Sequence, residues 1–403
     1  MSQETTPKIA FLTAGGIAPC LSASIGALML EYNHKAPESD MLGYLHGYRG
    51  LLLGKSLEIS TSVRERAQTL LSFGGSPIGN SRVKLTNVED CVKRGYIKEG
   101  EEPLQVAARQ LLEDGISILH TIGGDDTNSM AASLVDVLKE MGAELTVVGL
   151  PKTVDNDVYP IVQTLGAATA AEQGAVFFEN IANENTTSRR QLIIHEVMGR
   201  HCGWLTAATA RAYREQLKQK TFLPEILISE DRWDLDAVYV PETELDFSAE
   251  CDRLMKRMDE KDGVNIFLSE GAGIETIVKE KEAAGETVAR DAFGHVKLDL
   301  VNPGLWFAEQ FGERLQADKI LVQKSGYFAR SSAPNEEDLN LVKKSAAMAA
   351  ECALKGESGV VGLDMDEGGQ LSLINFDRIK GGKSFDVTTD WFNVMLGHIG
   401  QAE

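Results

Sequence analysis

A short apolar run, a Gly-rich or charged loop and a helical pattern follow one another repeatedly along this chain. Lys8–Thr13 leads into Ala14-Gly15-Gly16, after which Pro19 suits the first turn of a helix with Leu21, Ile25 and Leu28 on one face. Ile116–Ile122 leads into Gly123-Gly124-Asp125-Asp126-Thr127-Asn128 and a helix carrying Met130, Leu134, Val137 and Met141. Leu145–Leu150 leads into Pro151-Lys152-Thr153-Val154-Asp155-Asn156-Asp157. Leu192–Met198 is followed by Gly199-Arg200, Val264–Leu268 by Ser269-Glu270-Gly271, and Ile320–Gln323 by Lys324-Ser325-Gly326-Tyr327-Phe328-Ala329-Arg330. This alternation predicts an α/β fold, a parallel sheet with helices on both faces. Ligands of such sheets bind at the carboxyl ends of the strands, where every polar motif just named falls. Residues 231–260 and 275–290 are charged and poor in apolar runs, and read as surface helices or insertions.

Charge narrows the chemistry. The 403 residues carry a net charge of −20, which repels DNA, RNA and anionic lipid and argues against nucleic-acid and membrane partners. A phosphate substrate therefore needs a locally basic site, built from Arg and Lys beside Gly. The five cysteines are scattered without metal-ligand spacing, and their odd number does not suit a disulfide framework. Met1 to Lys8 lacks an apolar signal core, and no apolar run approaches a membrane span. A reducing, cytoplasmic setting is expected.

The loops carry the chemistry. In Gly123–Asn128 two glycines let a phosphate approach the main chain, and a helix N-terminus favours anions. Two carboxylates there conflict with an anion unless a cation intervenes. Magnesium held by a carboxylate and phosphate oxygens resolves the conflict, with helix capping as the bland alternative. Pro151–Asp157 presents a Lys, a hydroxyl and carboxylates together. Phosphoryl transfer needs charge neutralisation, which Lys152 can supply, and a base on the attacking hydroxyl, which Asp155 can supply; a simple Asp/Asn turn is the alternative. Arg82 follows the flexible Gly74–Asn80 stretch, and Arg200 follows Gly199 at a strand end. Glu270 is placed to accept hydrogen bonds from sugar hydroxyls. His201 and Cys202 read as packing or helix-start residues. Gly15-Gly16 is neither a Walker loop nor a dinucleotide fingerprint.

In this order the motifs resemble those of the phosphofructokinase family from Gly15 to Arg330, with Pro151–Asp157 and Glu196-Val197-Met198-Gly199-Arg200 the most specific. The resemblance implies two doubly wound, Rossmann-like lobes with the active site between them. Residues 1–166, completed by 329–385, would form the donor lobe; 167–328, with 386–403, would form the sugar-phosphate lobe. It implies that Asp155 is the base on the sugar 1-hydroxyl and that Asp125 holds Mg2+. Gly16 would line the donor phosphate, and Arg82 would neutralise the moving phosphoryl group. Thr153, Val154, Asp155, Met198, Gly199, Arg200, Glu270, Tyr327, Phe328, Ala329 and Arg330 would contact fructose 6-phosphate. A homodimer or homotetramer is expected. Many members bring an Arg from a neighbouring subunit; Arg189 and Arg190 are near but out of register, and they stay unassigned, as does Lys324.

Two positions bear on the phosphoryl donor. ATP-using members typically have Gly where this chain has Asp126 and Lys152, whereas pyrophosphate-using members have Asp and Lys. A carboxylate at Asp126 would fill the space of a nucleotide α-phosphate and repel its charge. Two like charges at 4 Å cost about 4 kcal/mol at intermediate effective dielectric, roughly a thousandfold in binding. The expected activity is thus reversible transfer from pyrophosphate to fructose 6-phosphate, in glycolysis or gluconeogenesis. Tyr327 stands where many ATP-using members carry His. An ATP-dependent kinase of the same fold is the nearest alternative. A non-catalytic regulatory subunit would be expected to lack Asp155 or Arg200, and both are present. A diacylglycerol- or nicotinamide-nucleotide-kinase-like protein would leave Pro151–Asp157 unexplained.

Overall fold

The computed structural model describes residues 6–289 and 301–401. In chain order its strands are β1 (Ile9–Thr13), β2 (Met41–Tyr44), β3 (Ser56–Glu58), β4 (Ile118–Gly123), β5 (Thr146–Pro151), β6 (Gln191–Val197), β7 (Ala237–Tyr239), β8 (Gly263–Ser269), β9 (Lys319–Lys324), β10 (Gly359–Asp364) and β11 (Gln370–Ile374). The chain divides into two compact units, Met1–Thr169 with Arg330–Lys383, and Ala170–Ala329 with Ser384–Glu403. The first boundary falls inside the helix Ala167–Ala182.

Seven strands form the sheet of the first unit, in the order β11-β10-β5-β4-β1-β2-β3. Its five central strands are parallel; β3 and β11 run antiparallel at the edges. From β1 the chain moves to one side to form β2, then returns to the other side for β4 and β5. That reversal lies between β1 and β4, where open α/β sheets leave a crevice for ligands. Both faces are covered, so the central strands are apolar throughout rather than alternating. Ile9 and Phe11 pack on one side with Leu21, Ile25, Leu28, Val342 and Ala346, while Ala10 and Leu12 pack on the other with Met130, Leu134 and Leu138. Each such aliphatic side chain contributes about 1.5–3 kcal/mol on full burial.

The second unit holds a four-stranded, wholly parallel sheet in the order β7-β8-β6-β9. Ile193 and Phe267 face Phe178, Tyr213, Trp233 and Phe392, and Leu192, Ile194, Val264 and Ile266 face Leu254, Phe307 and Phe311. The span 231–260 differs from expectation. It contains β7, whose residues are all buried, and the helix Phe247–Lys261. The strand was hidden by charges around it: Asp236 is fully buried because Arg257 and Lys261 pair with it. Within 275–290 the helix Ile274–Ala283 buries Ile277 and Val278, the following residues are mostly exposed, and residue 290 lies outside the described residues. Among the described residues no helix is long and apolar enough to cross a membrane.

One buried carboxylate supports the start of the helix Ala167–Ala182. Asp338, fully buried on the helix Glu336–Leu354, accepts the N–H of Gly166 at 3.1 Å, the N–H of Thr169 at 2.7 Å and the Thr169 hydroxyl at 2.5 Å. It thereby satisfies donors that a helix start cannot pair internally. Removing it orphans two buried N–H groups at about 1–3 kcal/mol each. Asp338→Ala should therefore lower stability by about 2–5 kcal/mol in urea unfolding, and Asp338→Asn by less. An unchanged urea midpoint for Asp338→Ala would show that this cap does not contribute.

Candidate active site

In the first unit the ends of β1, β4 and β5 lie side by side, and three loops converge there. The Gly15 N–H donates to the Ser81 carbonyl at 2.9 Å, and Asn80 Nδ2 donates to the Gly15 carbonyl at 2.6 Å. These bonds lay the 79–82 loop along the end of β1 and carry Arg82 to Gly16: a Cβ on Gly16 would stand 3.5 Å from Arg82 Nη2. Lys152, at the end of β5, is 2 % exposed. Its main-chain N–H donates to the Gly123 carbonyl at 2.9 Å, and its Nζ reaches the Gly16 carbonyl at 2.5 Å. Burial, and secondarily the charge of Arg82, lower its pKa to about 8, against the pull of Asp155 and Asp157.

The helix Asp125–Glu140 starts directly after β4, with Gly124 at the N-cap and no side-chain cap. Asp125 and Asp126 therefore occupy the first turn instead of capping it. Burial and the charges of Asp126 and Asp157 push the half-buried Asp125 carboxyl above the usual carboxylate range. Asp126 is exposed, and its Oδ2 lies 2.6 Å from Lys84 Nζ.

The loop after Lys152 is shaped by Asn156. This residue is buried at φ +56°, in the left-handed region that Asn tolerates better than most residues. Its Oδ1 accepts the Thr164 N–H at 2.9 Å, and its Nδ2 donates to the Val162 carbonyl at 3.1 Å. The Thr164 hydroxyl donates to the Thr153 carbonyl at 2.7 Å, and the Asp155 N–H donates to Thr153 Oγ1 at 3.2 Å. Asn156 and Thr164 thus hold the turn, and the Asp155 and Asp157 side chains beside it are half-buried. Val154 is buried, so any ligand contact it makes runs through its main chain.

The donor set suits magnesium. Asp125 sits in an excess of negative charge that a cation would relieve, and Mg2+ is commonly held by one or two carboxylates plus phosphate oxygens. Among the described residues no cluster of three or more His, Cys, Asp or Glu could hold a metal by itself. The protein oxygens present fit an ion shared with a phosphate substrate.

The second unit gathers the other candidates at the ends of β6, β8 and β9. Gly199 has φ +127°, and Ser269 Oγ donates to its carbonyl at 2.5 Å. The Gly199 N–H lies 3.5 Å from Glu270 Oε1. A side chain on Gly271 would overlap the main chain of Arg200, and one on Gly326 would meet Met198 at 3.2 Å. Met198, Gly199, Arg200 and Glu270 are therefore brought together, with the Gly326–Arg330 helix beside Met198. Arg200 also lines a cavity of about 600 Å³ with His201, Thr243, Lys279 and Trp306. On that helix Tyr327 is 80 % exposed, Phe328 is half exposed and Ala329 is buried. Arg330 is the first residue of the returning segment of the first unit. Lys324 pairs with the buried Glu196 at 2.7 Å, Arg190 with Asp259 and the Leu315 and Gln316 carbonyls, and Arg189 with Asp262, so all three have structural partners. Cys202 is buried and His201 exposed.

Sequence reading passed over Lys84, although a signal exists: Arg82 and Lys84 alternate with the buried Val83 and Leu85, the period of an extended segment. The Asp/Asn turn weighed for Pro151–Asp157 is made by Asn156, through Val162 and Thr164.

Comparison with known proteins bears on this arrangement. A family model described as Phosphofructokinase matches residues 8–353. A pyrophosphate–fructose 6-phosphate 1-phosphotransferase of Methylomonas methanica is 58 % identical over 394 residues, covering 98 % of this chain and 96 % of its own. The protein of the same name from Propionibacterium freudenreichii subsp. shermanii is 54 % identical over 394 residues, covering 98 % of both chains. Crystal structures of pyrophosphate-dependent phosphofructokinases have the same fold. That from Nitrosospira multiformis superposes with a TM-score of 0.70 at 16 % identity, over 99 % of this chain and 92 % of its own. That from Marinobacter aquaeolei gives 0.69 at 19 %, over 98 % and 92 %.

Proposed function

The chain belongs to the phosphofructokinase family, and we propose that it transfers a phosphoryl group reversibly between pyrophosphate and O1 of fructose 6-phosphate, as a step of glycolysis or gluconeogenesis. One observation carries the choice of donor. Lys152, a buried cation, reaches the Gly16 carbonyl, and the helix whose first turn carries the Asp126 carboxylate starts beside Gly15. The relatives named for pyrophosphate support the same choice.

The residues divide the work. Gly15 and Gly16 let the donor approach the main chain. Arg82 and Lys152 stabilise the negative charge of the moving group and of the leaving phosphate; charge held ready in this way typically contributes more to catalysis than any other single effect. Asp155 accepts the proton of the sugar 1-hydroxyl as that oxygen attacks, and Thr153, by accepting the Asp155 N–H, orients the loop that carries it. Met198, Gly199, Arg200, Glu270, Tyr327 and Arg330 bind the sugar phosphate, the arginines through charge-assisted bonds to its anion. Bound magnesium, held by Asp125, would neutralise pyrophosphate oxygens.

The setting is read as cytoplasmic, supported by five buried cysteines that form no disulfide. A homo-oligomer, dimer or tetramer, is supported by the exposed apolar stretch Leu223, Ile226, Leu227 and Ile228. Light scattering in solution should give a mass of at least two chains; a monomer would remove this part of the reading.

Donor choice is tested by initial rates with pyrophosphate and with ATP. Wild type should use pyrophosphate and reject ATP. Asp126→Gly should admit ATP and weaken pyrophosphate use by about tenfold, and Lys152→Gly should mainly weaken pyrophosphate use. The double variant should prefer ATP, non-additively, because both side chains act on one donor. A double variant that rejects ATP and keeps native pyrophosphate turnover would sink the assignment.

Lys152 also predicts a pH profile. With a pKa of about 8 it is charged below that pH and neutral above it. The kcat/KM for pyrophosphate reports the free enzyme, so it should fall by about tenfold per pH unit above about pH 8. Lys152→Met should be slower and should lack this limb. The same alkaline limb in Lys152→Met would assign it to another group.

A further inference from the structure

The sequence motifs account for three sides of the donor cluster, and a segment late in the chain supplies another. Ile379-Lys380-Gly381-Gly382-Lys383 runs beside the loop that follows Asp155. Tyr159 and Lys380 exchange two main-chain hydrogen bonds, at 2.8 and 3.0 Å. The Lys383 N–H donates to the Asp157 carbonyl at 2.9 Å, and Lys383 Nζ donates to the Ile161 carbonyl at 2.5 Å. The segment is thus fastened at both ends to the Asp155–Ile161 stretch.

Its two glycines differ in their reason for being glycine. Gly382 has φ +77° with open space around the position of a Cβ, so its requirement is conformational. Gly381 is not among the residues with positive φ, and its main chain would accept alanine. A Cβ there would instead overlap the carboxylate of Asp125. The main chain of Gly381 is therefore a wall against which that carboxylate rests, on the side away from its own helix.

We propose that Gly381 is a positioning residue for Asp125: the fastened Lys380–Lys383 segment fixes the carboxylate orientation that binds magnesium with pyrophosphate. This rests on the reading of Asp125 as the metal carboxylate. A methyl group at 381 drives the carboxylate aside while leaving Lys152, Arg82 and Asp155 in place. Weaker metal binding follows, with sugar-phosphate binding unaltered.

The test compares wild type, Gly381→Ala, Gly382→Ala, Lys383→Met and Asp125→Ala. Two properties are measured: rate against free magnesium, and calorimetric binding of magnesium methylenediphosphonate, which cannot be turned over. Gly381→Ala should raise the half-saturating magnesium about tenfold and weaken binding of the analogue to a similar degree. Its metal-free melting temperature and its KM for fructose 6-phosphate should stay at wild-type values. Gly382→Ala should lower the melting temperature through backbone strain and leave both metal readouts unchanged. Lys383→Met, which loosens the anchor without adding bulk, should move both metal readouts in the same direction by about two- to threefold. It keeps the test decisive should Gly381→Ala not fold. Wild-type metal binding in Lys383→Met and in any folded Gly381→Ala overturns the proposal, provided Asp125→Ala is impaired. Unimpaired metal binding in Asp125→Ala overturns both the proposal and the metal reading beneath it.

Discussion

The ammonium group of Lys152 is the constraint around which the donor cluster is arranged. A buried cation is costly unless its surroundings compensate it. Here the Gly16 carbonyl accepts from Nζ, and Asp155 and Asp157 add negative charge nearby. The bond to Gly16 links the end of β5 to the end of β1 across β4, so it also fixes the positions of the loops. Gly15, beside this link, has φ +88°, a conformation that favours glycine. Burial and the nearby Arg82 lower the pKa of Lys152 to about 8.

An acidic protein that handles phosphate must keep its carboxylates from repelling the substrate. The cluster does this by assigning them different partners. Asp126 pairs with Lys84. Asp125 lies between burial and like charge, which raise its pKa. Asn156 and Thr164 hold the loop that carries Asp155 through their own hydrogen bonds. In the second unit the same economy appears in the main chain. Gly199 and Gly271 allow close approach of strand-end loops, and Lys324 satisfies the buried Glu196.

Most strands that the sequence revealed are buried on both faces; the edge strand β9, only partly buried, is the exception. β1, β4, β5, β6 and β8 read as largely apolar runs, with buried polar residues such as His120, His195 and Asn265 among them, because helices cover them on either side. The short β7 was obscured by the charges that flank it, whose cost is met only when Arg257 and Lys261 fold back onto Asp236. Edge strands such as β3, which is exposed along its length, carry no apolar signature at all.

The sequence by itself determined the fold class, the strand-end position of each polar motif and the residue types at those ends. These are local properties: an apolar run fixes a strand, and a Gly or Pro beside it fixes a loop. Tertiary structure alone decided the pairings. That Lys84 pairs with Asp126 and that Gly381 rests on Asp125 both depend on segments distant in the chain meeting in space. Charge compensation and steric contact fall off within a few ångströms, and separation along a sequence carries no information at that scale.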